Sequence, residues 1–138
     1  MGVDELPILA IDGARFDDLN GFYREVSDRI IPGTVRVSNL DSFNDILRGG
    51  FGTPDGGFHL VWKNSELSRQ SLGWDETVRY LERKLTTCHR DNLPLVQIEI
   101  EAARSHQGQT LFEMIVEVIQ VHVAGGPEAE DGVVLTLE

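Results

Sequence analysis

Three short apolar runs, widely separated in a chain of 138 residues, most constrain what this protein can become. They are Leu6–Asp12 (LPILAID), Phe58–Lys63 (FHLVWK) and Val133–Leu137 (VVLTL). Short apolar runs bounded by turn residues read as buried strands. The stretches between them are long, and their apolar residues recur every three or four positions, the spacing of an amphipathic helix. Buried strands separated by helices imply a parallel sheet with helical crossovers. Crossovers are right-handed, so stepping along the sheet in one direction puts every helix on one face. The expected fold class is α/β. It is a small two-layer domain with a three-stranded parallel sheet and helices packed on one face.

The helices can be placed from their caps and stripes. Asp17 or Asp18 caps a helix running to about Ile30 or Ile31, with Leu19, Phe22, Val26 and Ile30 on one face. Pro32-Gly33 ends it. Ser38 or Asn39 caps a second helix, with Leu40, Phe43, Ile46 and Leu47 facing inward and Gly49-Gly50 as its stop. Asn64 or Ser65 caps a short third helix to about Leu72. Asp75–Cys88 forms a fourth, with Val78, Leu81, Leu85 and Cys88 on its apolar face and Cys88 in the core. Pro94 opens a fifth that runs to about Gln107 and is ended by Gly108. Thr110–Val123 is apolar almost all round, which predicts a central, buried helix. The order is β-α-α-β-α-α-α-α-β, and residues 1–138 read as a single domain.

Charge narrows the partners. The formal net charge is −11, from 23 acidic and 12 basic residues. Residues 1–62 carry net −5, residues 63–112 are neutral, and residues 113–138 carry net −6. Phosphate-backbone binding needs a Lys/Arg footprint, so nucleic acid is not an expected partner. An anionic membrane surface is excluded on the same ground, and no run approaches the ~18 apolar residues of a membrane span. The single cysteine, Cys88, fits a reducing compartment, and a cytoplasmic location is expected.

Most candidate chemistry fails on spacing. The glycine-rich stretch 49–57 follows a helix and precedes a strand, the reverse of a phosphate-binding loop. His59, His89, His106 and His122 are dispersed without a metal-binding spacing. No G-x-S-x-G elbow is present, and adjacent Cys88 and His89 point in different directions on a helix. Glu113 and Glu117 share a face but read as the solvated stripe of their helix. No enzyme activity, metal or cofactor is expected. Asp41 and Asp45 stand out, because at i,i+4 both carboxylates project from one face of the second helix. Like charges at that spacing cost a few tenths of a kcal/mol (on the order of 0.2–0.5) in an isolated helix. The ridge they form is suited to a cationic partner.

The stretch Pro32–Lys63, with S-N-L-D-S-F-N-D-I-L-R-G-G at its centre, resembles barstar-like ribonuclease inhibitors. The opening I-D-G strand, F-H-L-V-W-K with the following N-S-E-L-S, and Val133–Leu137 are similar to the family's strands and third helix. The resemblance implies an inhibitor or immunity protein whose partner is a small secreted ribonuclease or ribonuclease toxin domain. It implies that Asn39 and Leu40 start the inhibitory helix and that Asp41 and Asp45 are its acidic contacts. Asp45 matches the position that stands in for a substrate phosphate. Gly49 matches the glycine where main chain approaches the enzyme. Asn44 and Arg48 complete the partner-binding set, and Glu117 is the nearest candidate for a further acidic contact. The chain departs from the archetype at Val35-Arg36-Val37 and Asn44, where the archetype has aromatics. Residues from about 74 to 109 look like an added helical segment. A second function fits the same resemblance: an interaction or regulatory domain that kept the fold without the inhibition.

Overall fold

The computed structural model describes residues 6–33, 36–48, 53–54, 57–122 and 132–138. Its three strands are Ile8–Asp12 (β1), Phe58–Lys63 (β2) and Val133–Leu137 (β3). They form one parallel sheet in the order β1-β2-β3. The register sets Leu9, Leu60 and Leu135 side by side on one face, and Ile8, His59 and Val134 on the other. In central β2, Phe58, Leu60 and Trp62 are buried on the first face. The opposite face is open: Ile8 is 68% exposed and Val134 41%. The helices therefore occupy one side, as the crossover argument requires.

Between β1 and β2 run Leu19–Ile30 (α1) and Leu40–Arg48 (α2). Between β2 and β3 run Ser65–Ser71 (α3), Trp74–Thr87 (α4), Leu93–Arg104 (α5) and Leu111–Gln120 (α6). Trp62 is the hub of the core. Its ring lies 5.4 Å from Phe22 and 5.0 Å from Phe112, and Phe22 meets Phe43 edge-on at 5.3 Å. Aromatic pairs at such distances add to the stabilisation from burial. The indole N–H is satisfied by Ser68 Oγ at 2.9 Å. A second, smaller cluster (Leu81, Val96, Ile100 and Ala103) lies between α4 and α5. Tyr80 packs against both clusters.

Local chemistry explains the boundaries. Asp18 caps α1 by accepting from Gly21 N at 2.7 Å. Asn64 precedes α3 in a left-handed conformation and makes no side-chain cap. Its amide instead donates to Asp12 Oδ1 at 2.8 Å. That bond, with the Ala14 N–H, holds the Asp12 carboxyl below its usual pKa. Thr110 and Glu113 form a capping box on α6, so Glu113 has a structural role beyond the solvated stripe expected of it. The strand expected from Leu6 starts at Ile8. The fifth helix, expected to reach Gln107, stops at Arg104. There His106, not Gly108, takes the first left-handed position, and Gln107 N bonds back to Ala102 O at 2.8 Å. That is a Schellman stop with histidine in glycine's usual place. The last helix is buried only along Leu111, Phe112, Ile115 and Ile119. Met114, Val116 and Val118 are half-buried, because in a two-layer fold no third layer covers them. Cys88, expected in the core, is half-buried at the end of α4.

The I-D-G motif has a steric basis. A Cβ on Gly13 would fall on the Asn64 carbonyl oxygen and on Ser68 Oγ. Gly13→Ala should therefore destabilise the fold by about 1–3 kcal/mol, read as a lower urea midpoint at constant slope. An unchanged midpoint would mean that the turn after β1 can yield freely.

Candidate inhibitory helix and its surroundings

Nine residues form α2, and their order assigns each a task. Asn39 is the cap: its Oδ1 accepts from Ser42 N at 2.7 Å. Ser42 Oγ in turn accepts from Ser38 N and Asn39 N at 3.1 and 3.2 Å. This reciprocal arrangement satisfies amides that a helix start leaves unpaired. Asp41 in the first turn favours the helix dipole. Phe43, Ile46 and Leu47 are buried, and half-buried Leu40 packs on the same core. With that face fixed inward, Asp41 and Asp45 are both exposed. Arg48 Nη1 lies 3.7 Å from Asp45 Oδ1, and both side chains are about half exposed. An ion pair so exposed contributes little and exchanges readily. Arg36, just before the helix, pairs with Asp28 of α1 at 2.9 Å. Gly49 lies outside the described residues, as does most of the glycine-rich stretch.

Asn44 has a different role from its neighbours. Its Oδ1 accepts from Nε2 of His122 at 2.7 Å, and the His122 side chain is fully buried. The bond ties α2 to the end of α6, where the His122 carbonyl also accepts from Val133 N at 2.9 Å. Asn44 and Glu117 border one shallow depression of about 260 Å³ between these helices. Glu117 is exposed and accepts from Gln109 Nε2 at 2.6 Å. The two residues singled out on different helices are thus neighbours. Asn44→Ala removes a hydrogen bond from a fully buried ring and should cost about 1–3 kcal/mol of stability. Equilibrium denaturation checks this, and a loss below about 0.5 kcal/mol would mean that the bond is dispensable.

The other end of α2 faces the 74–109 segment. Asp41 borders a cleft whose far wall is α4, with Tyr80 and Arg83 on it and Tyr23 of α1 at its base. Burial pushes the Tyr80 phenol above its ordinary pKa, and Asp41's charge adds to the effect. Tyr23 shifts the same way, again chiefly through burial. Neither contact was foreseen from the sequence. The signal was the polar stripe Tyr80, Lys84 and Thr87 at i, i+4, i+7, beside the apolar stripe that drew attention. Among the described residues, no three His, Cys, Asp or Glu side chains are grouped to hold a metal ion. No described helix is long and apolar enough to cross a membrane.

The family model described as Barstar (barnase inhibitor) matches residues 6–101. The chain belongs to the barstar family. The matched stretch contains β1, β2, α1 to α4 and most of α5. No curated protein and no solved structure matches the chain. Barstar-family proteins are inhibitors that bind barnase-type ribonucleases, and they are not enzymes. The acidic α2 lies wholly inside the matched stretch, whereas α6 and the His122 that holds Asn44 lie beyond it.

Proposed function

We propose that this chain is an inhibitor or immunity protein that blocks the active site of a small secreted ribonuclease or ribonuclease toxin domain. The observation that carries the reading is the pair Asp41 and Asp45, exposed on one face of a helix whose other face is locked into the core. A carboxylate in a phosphate pocket makes charge-assisted hydrogen bonds and offers the enzyme no bond to cleave. The inserted segment is Asn39–Gly49, and Asp45 occupies the phosphate position. Arg48 then gives up Asp45 to the partner's cations, a small loss for an exposed pair. Glu117 supplies a secondary acidic contact beside Asn44. The inhibitor acts in the cytoplasm as one domain and uses no cofactor.

The test is stoichiometric titration of the protein into a barnase-type ribonuclease with RNA cleavage as the readout. Activity should fall to zero near one equivalent, and undiminished cleavage at excess inhibitor would overturn the reading. Charge supplies a second expectation. With −11 net, association with a basic enzyme is steered, so raising salt should slow association far more than it speeds dissociation. Stopped-flow mixing at two ionic strengths checks this, and an association rate indifferent to salt would contradict it.

Two observations favour a second reading, a non-inhibitory interaction domain. Asn44 is committed to His122 where the archetype has an aromatic, and Arg48 lies against Asp45. That reading expects no ribonuclease to be captured by the protein from cells that make it.

A further inference from the structure

The cleft between α2 and α4 has a volume of about 510 Å³. That is within the range of small-ligand sites. Tyr23 is only 7% exposed, it lines the cleft, and its hydroxyl has no hydrogen-bond partner among the described residues. Among the described residues, Ser71 Oγ is the only sealed side-chain polar atom without a partner, so the Tyr23 hydroxyl is open to the cleft and can donate to a ligand there. The Tyr80 hydroxyl, from the opposite wall, is also without a partner there. Lys84, half-buried one helical turn along, makes no ion pair among the described residues. Arg83 adds a guanidinium whose ion pair with Glu76 is long at 3.9 Å. Four donors thus line one space, and Leu19 and Leu40 give it an apolar side. Among the described residues, the one acidic group lining it is Asp41.

We propose that this cleft binds an organic carboxylate on an apolar stem, with Tyr23, Tyr80, Arg83 and Lys84 donating to the carboxylate. Two phenols that stay protonated and two cations match an oxyanion. Asp41 across the cleft opposes a dianion, which selects a carboxylate over a phosphate monoester. The site is separate from the Asp45 position, and it exists only because α4 is placed against α2.

The experiment is a ¹H–¹⁵N NMR titration of the full chain. Phenylacetate probes a free acid, N-acetylphenylalanine probes the same group at a polypeptide end, and uncharged phenylacetamide is the control. Saturable shifts at residues 38–41 and 80–88 are expected with either acid and not with the amide. The stronger of the two acids identifies the source. Lys84→Glu should weaken binding at least about tenfold, since it reverses a charge at the carboxylate. Tyr80→Phe, which removes one hydroxyl and keeps the ring, should weaken it about threefold or more. Asp41→Asn should strengthen it. Equal shifts with the amide, no saturable shifts, or phenylacetate affinity unchanged in both Lys84→Glu and Tyr80→Phe would overturn the proposal.

Discussion

Replacing Glu76 with alanine should destabilise the protein by about 3 kcal/mol, one of the larger effects available from a single exposed-looking residue. The carboxylate is only 3% exposed although it lies on a helix rich in charge. One oxygen accepts from Leu19 N at 2.7 Å, the first amide of α1. The other accepts from Arg79 Nε at 2.6 Å. Removing it leaves a buried amide without its acceptor and two arginines without their shared anion. The neighbouring Thr77 works in parallel, accepting from Leu111 N at 2.7 Å and fastening α4 to α6. These two residues dock the α4–α5 pair, with its own small core, onto the main body. Urea denaturation followed by both tryptophans should show the loss, and Trp74 should report it at least as early as Trp62. A change under about 1 kcal/mol would mean that α4 is held by packing alone.

That role could not be read from the sequence. Glu76 stands in W-D-E-T, where an acidic pair in a first turn already has a sufficient explanation in the helix dipole. Glu25 is similar: buried within α1, it accepts from Asp12 N and Arg15 Nε at 2.9 and 3.0 Å. A carboxylate's partners in three dimensions leave no periodic trace. The strands and helices were legible because burial of one face imposes a period of two or of 3.6 residues. The ends of α5 and α6 were less so. Nothing in the sequence made His106 rather than Gly108 the left-handed residue, and a two-layer fold leaves one side of an apolar helix half-covered. In the site, the Asp41/Asp45 ridge followed from i,i+4 spacing, which is local. The engagement of Asn44 by His122 spans 78 positions and was invisible for that reason.

Asp45→Ala should weaken the complex with a ribonuclease by about 2–5 kcal/mol, the range for truncating one partner of a buried charge pair, to which the family's archetype pair itself contributes. The loss should appear in the dissociation rate, because the contact forms only after docking. Stability of the free inhibitor should hardly change. Asp45 is 52% exposed, and its ion pair with Arg48 is long at 3.7 Å. This separates it from Asn44→Ala, which is expected to act through the fold. Asp41 lies one turn earlier on the same face, so its removal should add to the loss.

The most direct measurement is isothermal titration of the Asp41→Ala/Asp45→Ala double variant into a ribonuclease that the parent protein inhibits, after denaturation has shown the variant to be folded. Affinity should drop by at least 10³-fold, about 4 kcal/mol, with inhibition lost at equimolar ratio. Parental affinity in the folded double variant would contradict an inhibitory role for α2.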